Sequence, residues 1–256
     1  MPTLSAACES IGNGLRAHQG LLPDPQIQFL QRESARLHAQ IKLPRPWHYA
    51  ELHNPWARAA ACYDSWGFLE LCQSSALTSA IATLLGEDLI LFDSQWLPDP
   101  WQLPTSDDTT DSDAHRFPVD PSHGVTALIA FGNAAAATVR IDARTADRGR
   151  ALERHKPVSL PLRGGCVLLI DHLTPYRVQP AHPAGSPTVY AARYFPASSQ
   201  YLRDPAAPLH RALTERYPLL NYAKMPLWLV RGQDRADNDF VTGFSTRAGF
   251  WTSADW

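Results

Sequence analysis

Val125-Thr-Ala-Leu-Ile-Ala-Phe131 is an unbroken apolar run closed off by Gly124 on one side and Gly132 on the other. It is too short for a stable helix, contains β-branched residues and has glycine at both ends, so it predicts a buried strand. Working outward, similar runs follow one another: Asp88 to Trp96, Ala137 to Ile141, Val158 to Leu162, Cys166 to Ile170 and Thr188 to Phe195, separated by Pro, Gly and Asp. Several short strands with turn signals between them predict a sandwich or barrel. Apart from the stretch Thr145 to Glu153, nothing between the runs has the length of a crossover helix, which argues against a parallel α/β sheet.

The chain before Gly86 has a different texture. Ile27, Phe29, Leu30, Ala35 and Leu37 recur at roughly helical spacing between Pro25 and Gln40. A second helix is predicted from about Ala57 to Leu71, and a third from Ser75 through Leu85, ended by Gly86. From Ala206 a helical pattern returns through Leu213. The rest of the chain is aromatic and irregular, and Trp228, Phe240, Phe244, Phe250, Trp251 and Trp256 either wrap over the barrel or form a subunit contact, which leaves a homo-oligomer open. The reading is one domain over 1–256, mainly β with flanking helices: a helical part (1–86), a β core (87–197), and a C-terminal helix with an aromatic tail (198–256).

A chain of 256 residues, 45% hydrophobic and 19% charged, can bury a sizeable core. Its net charge of -2 contains no long run of like charge, so neither nucleic acid nor a membrane surface is an expected partner. The N-terminus Met-Pro-Thr-Leu-Ser-Ala-Ala-Cys lacks the pattern of a secretion signal, and no run approaches the ~18 apolar residues that span a bilayer, so the expected location is cytoplasmic. Cys8, Cys62, Cys72 and Cys166 are scattered and read as reduced thiols. Glycine-rich nucleotide signatures and Gly-x-Ser-x-Gly are absent, and Ser186 near His182 does not sit on the sharp strand-to-helix turn that hydrolysis needs.

Three segments taken in order carry more information: Leu84-Leu-Gly-Glu-Asp-Leu-Ile-Leu-Phe-Asp-Ser-Gln95, then His115-Arg-Phe-Pro-Val-Asp-Pro121, then the run from Gly124 to Phe131. They are followed by Gly164-Gly-Cys-Val-Leu-Leu-Ile-Asp171, Tyr176-Arg-Val-Gln-Pro180 and Tyr190-Ala-Ala-Arg-Tyr-Phe195. Over about residues 60–197 this series resembles the phytanoyl-CoA dioxygenase family. The resemblance implies a double-stranded β-helix (a cupin-like jelly roll) with the N-terminal helices packed on one sheet. It also implies an oxygenase that uses Fe(II) and 2-oxoglutarate. Such enzymes hold the metal by two histidines and one carboxylate, leaving positions for cosubstrate and oxygen.

The chain departs from that family's ligand pattern. Its His-x-Asp falls on Asp111-Ser-Asp113, its distal histidine on Tyr176, and its cosubstrate arginine near Pro187, where no basic residue stands. Asp113 and His115 are two apart, so on extended backbone their side chains point the same way and both reach a metal, with His172 as third ligand. A second arrangement uses His182, because Arg193 lies beyond it at the family's spacing for the cosubstrate-binding residue. Arg193 alternates with Tyr190, Ala192 and Tyr194, so either it enters the barrel or they do.

Against these stand plainer readings. Asp111 and Asp113 belong to the polar Pro98 to Asp113 loop, where such residues are commonly solvated; His115 and His172 also suit a backbone hydrogen bond and a turn, and Tyr176 suits a lid over the pocket. Three functions stay open. One is a dioxygenase-like oxidation of a small molecule, including tailoring in secondary metabolism, with iron held by Asp113, His115 and His172. Another is a metal-free isomerisation, cyclisation or elimination with Asp111, Asp113, His115 and Tyr176 as acid-base groups. The last is a non-catalytic small-molecule-binding protein.

Overall fold

A computed structural model of the protein describes residues 7–12, 15–97, 118–132, 135–141, 158–172, 174, 176–180, 187–208, 210–211, 222–240, 244–245 and 250–251. The predicted apolar runs form strands β3 (Leu89–Leu97), β5 (Val125–Ala130), β6 (Ala135–Ile141), β7 (Val158–Arg163), β8 (Cys166–Asp171) and β10 (Val189–Pro196). Shorter strands accompany them: β4 (Val119–Asp120), β9 (Tyr176–Pro180) and β11 (Gln200–Tyr201).

Two strands arise where helix was expected. Ala7–Gly12 (β1) and Leu15–Gln19 (β2) make an antiparallel hairpin, and β2 adds to β8. At the other edge, Trp228–Arg231 (β12) pairs with β3, in a stretch read as irregular tail. The large sheet therefore runs β1-β2-β8-β5-β10-β3-β12, and a smaller sheet runs β7-β6-β9. Every pairing in both is antiparallel.

Alternation sorts each strand of the large sheet into two faces. Leu128, Ala130, Leu168, Ile170, Val189 and Ala191 pack with Ala137, Val139, Ile141 and Val178 of the small sheet, forming the barrel interior. The opposite residues Ala127, Ile129, Val167, Leu169, Tyr190, Ala192 and Tyr194 pack under the helices. Because both faces are covered, β5 and β8 read as continuous apolar runs rather than as alternating ones. At the β7–β8 turn the chains approach so closely that a Cβ on Gly164 would lie 1.8 Å from the carbonyl oxygen of Gly132, so only glycine fits.

The helices are α1 (Asp24–Gln40), α2 (Ser65–Gln73) and α3 (Ser75–Leu85). The single helix expected from Ala57 is split into a short 3-10 turn at Arg58–Ala61 and α2. The break comes at Asp64, whose Oδ1 accepts from the Gly67 amide at 3.0 Å and starts a new helix. Phe68 on α2 is fully buried and meets Phe29, Tyr63, Trp96 and Tyr190 at ring-centroid distances of 5.0 to 6.1 Å. The α1 side chains Ser34 and Gln31 donate to the carbonyls of Pro187 and Phe131, both at 2.6 Å. The Tyr194 hydroxyl donates to the Cys72 carbonyl at 3.1 Å, tying α2 to β10. Cys62, Cys72 and Cys166 are free thiols.

The edge of β3 is protected twice. β12 covers Leu89 to Leu91, and the Tyr49–His53 segment covers its other half through Trp96 N–H to Tyr49 O (2.8 Å) and an Ala50–Gln95 bridge. Among the described residues no single helix is long and apolar enough to cross a membrane.

Candidate metal centre

The register of β5 against β8 brings together residues far apart in sequence. Val125 pairs with Asp171, so the residues just before β5 and just after β8 meet at one rim of the barrel. There, His123, Asp171 and His172 each present a ligand atom, and all three atoms lie within 4.8 Å of one another. His172 Nδ1 is 3.8 Å from Asp171 Oδ1, and the two imidazole centroids are 6.5 Å apart with planes at 69°. The His172 side chain is fully buried, whereas Asp171 is one-third exposed, so the cluster has a protein side and an open side.

Backbone and hydroxyl contacts fix this arrangement. The His172 amide donates to Gly124 O at 3.1 Å, which pins the turn after β8 to the start of β5. Ser122 Oγ is 2.9 Å from His172 Nε2. The segment that carries Ser122 and His123 is tied on its other side by the β4–β11 pairing and by Ser199 Oγ donating to Pro121 O at 3.0 Å.

A second polar group faces the barrel two strands away. On β10, Tyr190, Ala192 and Tyr194 belong to the helix-facing core, so Arg193 takes the opposite, barrel face. It stands in direct register with Asp93 on β3 and Thr126 on β5, and Thr126 in turn with Ile170. Arg193 is roughly 10 Å from the β8 backbone, taking two strand spacings. Its Nη1 donates to the buried Asp93 Oδ2 in an ion pair. Next to Asp93 lies Glu51, which burial and the Asp93 charge push up to about 8, against the weaker opposing effect of the Asn54 amide at 3.4 Å.

No protein-family model and no curated protein matches the chain. Solved structures do. CytC3 with Fe(II) and alpha-ketoglutarate aligns over 91% of this chain and 90% of its own, with a TM-score of 0.53 at 15% identity. The non-heme monooxygenase ThoJ in its apo form aligns over 84% and 79%, with a TM-score of 0.52 at 16% identity. The non-heme alpha ketoglutarate dependent epimerase SnoN from nogalamycin biosynthesis aligns over 73% and 80%, with a TM-score of 0.51 at 15% identity. The chain shares their fold.

On this double-stranded β-helix the residues singled out from sequence fall into three groups. His172 and Tyr176 flank the turn between β8 and β9: His172 is in the cluster, and Tyr176 packs, partly buried, against the barrel interior. Arg193 enters the barrel side, which settles the alternation question in its favour over the neighbouring tyrosines. Asp111, Asp113, His115 and His182 lie outside the described residues.

Nothing local in the sequence marks His123 or Asp171 as a candidate ligand. The available signal was weak: His123 precedes the best strand, Asp171 closes the next most apolar one, and only antiparallel pairing of the two makes them neighbours.

Proposed function

We propose that the chain is an Fe(II)- and 2-oxoglutarate-dependent enzyme that oxidises a small organic molecule. In this reading His123, Asp171 and His172 hold the metal and Arg193 receives a carboxylate of the cosubstrate. The observation that carries the reading is the set of two imidazoles and one carboxylate at the rim of this barrel. That donor set fits Fe(II), which two histidines and one carboxylate bind on one face. Bound there, iron would supply oxidising chemistry, with the remaining positions open to cosubstrate and oxygen.

The protein's part is positional and electrostatic. His172 is held by the Gly124 carbonyl through its own amide and by Ser122 through its ring. Asp171 contributes the negative charge that offsets a divalent cation, and its partial exposure leaves a way in from solvent. Arg193 lies on the barrel face in register, through Thr126, with Ile170 two residues before His172, and a guanidinium with five donors can serve Asp93 and a second carboxylate together. The apolar interior from Leu128, Ile170 and Ala191 to Val139 and Val178 excludes water from the space between the sheets.

The substrate class is supported by likeness only: SnoN belongs to nogalamycin biosynthesis, so tailoring of a secondary metabolite is the favoured assignment over an acyl thioester. The sequence resemblance to phytanoyl-CoA dioxygenases supports the same general chemistry. A ligand set of Asp113, His115 and His172 remains part of the proposal as an alternative, and His172 belongs to both sets.

Anaerobic titration with Fe(II) and then 2-oxoglutarate tests it. The expected result is about one iron per chain and a weak visible charge-transfer band on adding the cosubstrate. His172→Ala should lose both, while Arg193→Leu should keep the iron and weaken 2-oxoglutarate binding at least tenfold. Wild-type protein that takes up no iron would refute the proposal.

A further inference from the structure

Resting on that reading of the cluster, we infer that Ser122 is a positioning residue that sets which nitrogen of His172 meets the metal. Ser122 Oγ stands 2.9 Å from Nε2, and Asp171 Oδ1 lies 3.8 Å from the other ring nitrogen, Nδ1. With Nε2 engaged by Ser122, Nδ1 is the nitrogen turned toward Asp171 and therefore toward the metal.

A neutral imidazole carries its proton on one nitrogen only, and a metal takes the other. Nδ1 can ligate only if the proton sits on Nε2 and is donated to Ser122 Oγ. A hydroxyl suits this place because it both donates and accepts. The same hydroxyl can donate to Nε2 when the ring takes the other tautomer. With metal on Nδ1, the ring proton sits on Nε2 and the Ser122 oxygen accepts its hydrogen bond. A carboxylate or carbonyl in place of Ser122 would accept only, and an alkyl group would release the ring.

The segment that carries Ser122 is held in place. Val119 and Asp120 pair with β11, Ser199 Oγ donates to Pro121 O, and the amide of Leu202 donates to Pro118 O at 2.8 Å. The hydroxyl is thus presented to the ring by anchored backbone. Groups that orient a ligating histidine in this way typically change metal affinity by about 10- to 100-fold when removed.

The experiment measures Co(II) affinity of the full chain by calorimetry for wild type, Ser122→Ala and Ser122→Thr, together with ¹⁵N spectra of the histidine rings with and without Zn(II). Ser122 is exposed, so Ser122→Ala should fold with an unchanged melting temperature. The expected result is affinity lowered about 10- to 100-fold in Ser122→Ala, restoration in Ser122→Thr, and a Zn(II)-bound His172 that is protonated on Nε2 and ligated through Nδ1. Equal Co(II) affinity in wild type and Ser122→Ala, or ligation through Nε2, would overturn the role of Ser122 and leave the metal centre standing. Wild type that binds neither Co(II) nor Zn(II) would overturn both.

Discussion

Glu51 adopts a positive φ of 54°, fully inside the protein, beside the charged Asp93. Burial and that neighbour raise its proton affinity to about 8, so near neutral pH it stays protonated in the folded chain. In the unfolded chain it ionises near the ordinary glutamate value. Between these two pH values the folded state binds more protons, so stability from this residue is complete below the lower value and is lost progressively up to about pH 8. Glu51→Gln, which keeps shape without the charge, should therefore melt increasingly above wild type as pH goes from 5 to 8, with little difference at pH 5. A constant or shrinking gap in thermal denaturation would contradict this. His53 acts in the opposite sense, since burial lowers it to about 3 and its contribution is lost as pH falls below the ordinary histidine range. Neither environment is readable from sequence, because both depend on the Tyr49–His53 segment lying along the edge of β3.

At the level of elements, what was legible was what local composition dictates. The runs at Leu89, Val125, Cys166 and Val189 are apolar throughout because both sheet faces are covered, and each became a strand within a residue or two of its expected bounds. The β1–β2 hairpin was missed for the same reason in reverse: Ala-Cys-Glu-Ser-Ile-Gly has no clear alternation, and it becomes a strand by adding to an existing sheet edge. Asp64 was a cap hidden inside a helical pattern. Phe68 shows how α2 is anchored, since its ring meets four others between helix and sheet. Phe68→Ala should cost about 3–5 kcal/mol, read as a lowered denaturation midpoint at unchanged slope. A loss below 1 kcal/mol would mean that α2 does not depend on this contact.

Across the whole molecule, the site is made by pairing rather than by any one segment. The sequence marks His172 as a candidate ligand because it ends an apolar strand, and local spacing offers it Asp113 and His115 as partners. Asp111 to His115 lie outside the described residues; within the described ones, His123 and Asp171 stand beside His172 through the antiparallel register that sets Val125 against Asp171. Such proximity between the start of one strand and the end of another leaves no local trace, so it was not legible from the sequence. Arg193 was half legible: alternation placed it opposite the tyrosines, and the helix-packed core then decided which face was which. The ion pair with Asp93 gives that arginine a fixed place on the same barrel that carries the histidines. The proposed chemistry depends on where a divalent metal binds, and an anomalous difference map from crystals of the full chain grown with Co(II) measures that most directly. The predicted result is one strong peak within ligand distance, about 2–2.3 Å, of His123, Asp171 and His172. A map with no peak there, or with its peak at Asp113 and His115 and none at Asp171, would contradict it.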